Sequence, residues 1–87
     1  MIPKEQQYII LDCDLNTTNK ILEVAKINNW DIHSTAIDMD YPHLLWDTYE
    51  FCRCRYTKDF RIQITADEMI AIINGTQIQS TDTLLLI

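Results

Sequence analysis

The chain has 87 residues, 13 acidic against 7 basic side chains for a net charge of −6, and one glycine. At that length a single α+β domain over residues 1–87 with a small core is expected, and 47% apolar residues suit an ordered globular fold. One glycine excludes Gly-rich phosphate cradles, and the acidic balance argues against holding nucleic acid by its phosphates. No run reaches the roughly 18 apolar residues of a membrane span, and the polar residues 1–7 lack the apolar stretch of a secretory signal. Three cysteines, two of them only two positions apart, suit reduced thiols, so a cytoplasmic protein is expected. Fourteen isoleucines against one valine is the bias that AT-rich codons produce, as in a low-GC bacterium or a phage.

In chain order, residues 7–14 are β-branched and aromatic and predict a strand. Asn16 is the expected N-cap of a helix over 17–28, whose Ile21, Leu22, Val24, Ala25 and Ile27 make an apolar face. Asn28 and Asn29 suit a left-handed helix end, with Trp30 folding back to cover it. Residues 31–39 alternate as a second strand, broken by Tyr41-Pro42. Residues 41–47 read as a connection, although they hold Tyr41, Leu44, Leu45 and Trp46, which either cap an open end of the core or form an exposed patch for a partner. Residues 48–56 alternate throughout and predict a strand that turns at 57–59 and pairs with 60–64 as a hairpin. Thr65 and Glu68 form a capping box for a helix ending at Asn74, with Gly75 at its left-handed end. A last apolar strand is expected over 84–87, with Thr81 as its earliest start.

The predicted order is β-α-β-β-β-α-β. It leads to a two-layer α+β sandwich of ferredoxin-like plan, both helices on one face of a mostly antiparallel sheet. In that plan two Asp-x-Asp motifs, Asp12/Asp14 and Asp38/Asp40, end parallel strands at the same sheet edge. Four carboxylates there suit a hard cation, but opposite-charge pairing with Arg53, Arg55 and Arg61 is the simpler expectation, so no metal and no cofactor is assigned. Cys13, Cys52 and Cys54 are expected on the helix-covered face as buried thiols, since their spacing matches no zinc knuckle. The opposite face would show Tyr8 or Ile10, Ala36, Phe51 and Ile62, a surface for a second copy.

Charge is uneven along the chain. Residues 1–48 carry 8 acidic and 3 basic groups, residues 49–87 carry 5 and 4. Asp12, Asp14, Asp38, Asp40, Tyr41, Trp46 and Asp47 are therefore the candidate partner-binding residues, facing a protein with a basic surface. No catalytic residue is assigned, and neither direct nucleic-acid nor membrane binding is expected. In size, acidity and lack of a catalytic motif the chain resembles, in style and not by any motif, small phage-encoded host-takeover and anti-defence proteins, anti-CRISPR inhibitors among them. That resemblance implies a non-enzymatic inhibitor or adaptor working in the host cytoplasm. An alternative is a homodimer that binds or sequesters a small ligand or nucleotide, with Arg53, Arg55 and Arg61 clamping a phosphate. A further alternative is an Asp-dependent metal nuclease. The chain is similar to the ferredoxin-like nuclease of CRISPR adaptation in size, plait order and an aspartate, Asp12 or Asp14, at the end of the first strand.

Overall fold

A computed structural model describes residues 5–58 and 60–75. The chain runs through strand β1 (Tyr8–Ile10), helix α1 (Leu15–Ile27), a short 3-10 helix (Ser34–Ile37), strands β2 (His43–Trp46), β3 (Phe51–Cys54) and β4 (Ile62–Gln63), and helix α2 (Ala66–Asn74). The strands form a mixed sheet of order β3-β2-β1-β4. β2 is antiparallel to both β1 and β3, and β4 lies parallel to β1. The class is α+β as expected, but the sheet of the described residues is mixed and does not bear out the ferredoxin-like order. The strand expected over 84–87 lies outside the described residues.

Helix α1 starts two residues earlier than its sequence suggests. Asp14, not Asn16, is the N-cap, its Oδ1 accepting the Thr17 N–H at 2.7 Å. Thr18, Ile21, Leu22 and Ala25 recur at helical spacing and are buried. Asn29 ends the turn at φ 62°, and Trp30 folds back with its N–H on Ala25 O at 2.9 Å. Helix α2 has the expected reciprocal capping box of Thr65 and Glu68, and Gly75 takes the left-handed conformation at φ 70°.

Tyr8, Ile10, Leu44, Trp46 and Phe51 join Ile21, Leu22, Ala25, Met69 and Ile73 in one apolar cluster. Both helices therefore cover the same face of the sheet. Three aromatic rings lie at its heart, with Trp30 and Phe51 centred 4.5 and 5.0 Å from Trp46. Full burial of side chains this large contributes roughly 2–3 kcal/mol each.

Three expected elements are corrected. Residues 31–39 are not a strand: His33 Nδ1 accepts the Thr35 N–H and opens the 3-10 helix, and only Ile32 bridges to Phe51. A local cap of this kind competes with a sheet ladder for the same backbone groups. Residues 43–46 are not a connection but the inner strand β2, with Leu44, Leu45 and Trp46 all buried. A strand covered on both faces reads as a continuous apolar run, which hides its period of two. Residues 60–64 do not return as a hairpin partner of β3. After β3 the next strand is β4, which pairs with β1.

The faces of β3 are reversed from expectation. The register sets Arg53 opposite Leu44, and Cys52 opposite Leu45. Leu44 belongs to the helix-side cluster, so Phe51 and Arg53 point to the helices while Cys52 and Cys54 point away. Tyr8, Ile10, Ala36 and Phe51, expected on the uncovered face, are in the core. The other face holds Ile9 and Leu45, only 2% and 4% exposed, with Cys52, Cys54 and Gln7 beside them by strand alternation. Arg61 reaches across this face: its Nε donates to Gln7 Oε1 and its Nη1 to Cys54 Sγ.

Candidate functional site

The two acidic motifs do come together, through an unexpected agent. Arg53 is buried at 7% exposure in the middle of β3. Its Nε donates to Tyr41 O at 2.6 Å, and its Nη2 donates to Cys13 O at 2.6 Å and Pro42 O at 2.9 Å. Its Nη1 donates to Thr18 Oγ1 at 2.8 Å, and that hydroxyl donates onward to Cys13 Sγ. Cys13 is the middle residue of the first Asp-x-Asp motif, and Tyr41-Pro42 directly follow the second. One guanidinium thus clasps both acidic loops by their carbonyls. None of its four acceptors is a carboxylate.

The loops also touch directly. Cys13 N donates to Pro42 O at 3.0 Å, and Asp12 N donates to His43 Nδ1 at 3.1 Å. The second bond uses His43 Nδ1 as its acceptor. Asp12 holds φ at 48°, a left-handed conformation that Asp tolerates better than most residues. Asp12, Asp14 and Asp40 are exposed and Asp38 is half-buried. The Asp14 carboxyl is held below the usual carboxylate range, first by the Thr17 N–H and then by the Thr17 hydroxyl. Asp38 Oδ1 accepts the Asp40 N–H at 3.1 Å and shapes the second loop. Among the described residues no three acidic, histidine or cysteine side chains group as a metal would require.

The remaining predicted residues scatter. Tyr41 is half-buried beneath the Arg55 guanidinium, 4.9 Å from its ring centre. Trp46 is fully buried in the core, which removes it from any exposed patch. Asp47 shapes the β2–β3 turn: its Oδ1 accepts the N–H groups of Tyr49 and Glu50, both at 2.8 Å. With its donors spent on carbonyls and a hydroxyl, Arg53 cannot clamp a phosphate. Arg55 lies on Tyr41, and Arg61 lies on the other face of the sheet, so the three-arginine clamp is not assembled.

Sequence reasoning missed the apolar members of the acidic end. Leu15 is 46% exposed, Ile37 57% and Met39 42%. Each directly adjoins an aspartate, Leu15 after Asp14 and Ile37-Asp38-Met39-Asp40 in sequence. The signal was present, but residues 31–39 read as a strand place Ile37 and Met39 in its pleat. The chain matches no protein-family model, no curated protein and no solved structure. Among the described residues no helix is long and apolar enough to cross a membrane.

Proposed function

We propose that this chain is a small, non-enzymatic protein-binding module that docks its acidic end on a basic surface of a larger protein and acts as an inhibitor or adaptor. The supporting observation is the arrangement of the loops at residues 12–15 and 37–40. Exposed Leu15, Ile37 and Met39 lie in sequence beside exposed Asp12, Asp14 and Asp40, next to the carbonyls of residues 13, 41 and 42 that Arg53 holds. Apolar side chains provide burial on docking, while the carboxylates steer approach and reject acidic partners. A rigid backbone lowers the entropy lost on binding. A cytoplasmic setting and a phage-type, anti-defence role in a host go with this reading.

The test is affinity capture with two baits, the wild type and a triple variant with Asp12→Asn, Met39→Ala and Asp40→Asn. None of these three side chains lies in the core, and Asn tolerates the backbone at position 12. The expected result is a protein with a basic surface retained by the wild type and lost by the variant, with binding weakened by salt. Equal capture by both baits, or capture that survives high salt unchanged, would remove the acidic end as the docking surface.

A further inference from the structure

Residues 55–61 are a basic stretch in an acidic chain. They hold Arg55, Lys58 and Arg61, three of the seven cations, against one acid, Asp59. Arg55 and Lys58 are exposed and Arg61 is half-buried. Two rings stand out beside them, Tyr56 at 73% and Phe60 at 64% exposure. The Arg61 guanidinium lies 5.5 Å from the Phe60 ring centre. The backbone between them is tied: Arg61 Nη1 donates to Tyr56 O at 3.1 Å, and Arg61 N donates to Lys58 O at 3.0 Å. Exposed rings flanked by cations suit a surface that offers apolar side chains together with acids.

The same chain carries such a surface. Its acidic end has Leu15, Ile37 and Met39 beside Asp12, Asp14 and Asp40 in sequence, all six exposed. The two patches adjoin. Cys54, the residue before the basic stretch, pairs with His43, whose Nδ1 accepts the Asp12 N–H. Arg55 lies over the ring of Tyr41, the residue after Asp40. Within one chain Arg55 takes that ring, and Arg61 takes an amide, a thiol and a carbonyl; none of these partners is an acid. Adjoining patches of opposite charge are self-complementary under a two-fold rotation. Each basic patch then meets the other copy's acidic patch, and both contacts form at once.

We propose that residues 55–61 are a docking surface for a second copy of this chain, receiving its acidic end in a two-fold dimer. Tyr56 and Phe60 cover the exposed aliphatic side chains, while Arg55 and Lys58 face the aspartates. The inference rests on the docking reading of the acidic end and gives that end a second occupant, so a basic partner and the dimer compete for it. The dimer is measured on the chain alone, so its failure leaves the capture experiment standing.

The experiment is sedimentation equilibrium of the full chain over a range of concentrations. The wild type is expected to approach twice the mass of one chain, and raising salt from about 50 to about 500 mM should weaken the association by about tenfold or more. Two charge reversals separate the patches: Arg55→Glu with Lys58→Glu, and Met39→Lys with Asp40→Lys. Each variant alone should be a monomer. Mixed in equal amounts they should regain the doubled mass, because each reversed patch then meets its opposite, a result that misfolded variants cannot give. A wild type that stays monomeric at low salt would overturn the proposal and leave the basic stretch to an acidic partner of another kind. So would a dimer indifferent to salt or untouched by both reversals, or a mixture that stays monomeric.

Discussion

The two faces of the sheet are closed by different means, and each closure is fastened by an arginine. On the helix side, Arg53 rises from β3 into a buried pocket where every acceptor is a backbone carbonyl or a hydroxyl. On the other side, Arg61 lies half-buried across the strands, holding a glutamine amide, a carbonyl and a thiol. The first arginine is a structural clasp that brings two acidic loops to one end. The second ties the end of β3 to Gln7 and Tyr56 across the other face. Identical side chains thus fasten the two faces through different acceptors, carbonyls and a hydroxyl on one and an amide, a carbonyl and a thiol on the other.

The largest expected effect tests that contrast directly. Arg53→Ala should lower stability by roughly 3–5 kcal/mol in urea unfolding, because buried carbonyls on two loops lose charged donors together. Arg61→Ala should cost about 1 kcal/mol or less, as water replaces much of what it donates. Equal losses would mean that the face away from the helices is as tightly built as the core. A second pair asks the same of the apolar residues. Ile9 and Ile10 are neighbours on β1, pointing to opposite faces, 2% and 5% exposed. Substitution of each by Ala is expected to cost about 2–4 kcal/mol. A much cheaper Ile9→Ala would show that the face away from the helices relaxes where the helix face cannot.

Thr18 sharpens the clasp at a smaller scale. Its hydroxyl is fully buried, accepts from Arg53 and donates to Cys13. Thr18→Val keeps the volume and removes both bonds, so a loss of roughly 1–2 kcal/mol is expected in the same urea measurement. A neutral result would mean that Arg53 holds the loops through carbonyls alone.

Helix α2 with both its ends and the C-terminal end of α1 were legible from the sequence because capping is local chemistry, whereas the N-cap of α1 lies at Asp14 and not at Asn16. Thr65, Glu68 and Gly75 act within one turn, and all three occupy the expected positions. The strand order was not legible, since pairing depends on distant partners. Leu44-Leu45-Trp46 looked like a loop filler because an inner strand has no polar side to mark its period. Arg53 looked like a surface residue because charge usually means water. Only the carbonyls of residues 13, 41 and 42, supplied by two separated loops, make its burial affordable. The meeting of the two Asp-x-Asp motifs was expected from parallel strands that do not exist. It arises instead because β1 is antiparallel to β2, which sets the end of one beside the start of the other.

The smallest expected effect concerns the acidic end held by the clasp. Asp14 caps α1 one residue after the carbonyl that Arg53 grips. Its folded pKa lies below the usual carboxylate value because the Thr17 N–H and hydroxyl bond the ionised form. A depressed carboxyl stabilises the fold above its unfolded pKa of about 3.9, and the contribution is lost as pH falls through the lower folded value. Asp14→Asn keeps an oxygen that accepts the Thr17 N–H but removes the titration. The wild type should therefore be slightly more stable than Asp14→Asn at neutral pH, with the two converging below about pH 4. Urea midpoints across that range measure it. A gap that stays constant to acid would mean that the helix end responds to the amide-for-carboxylate change and not to charge. The cap would then be independent of the acidity that the proposed docking surface requires.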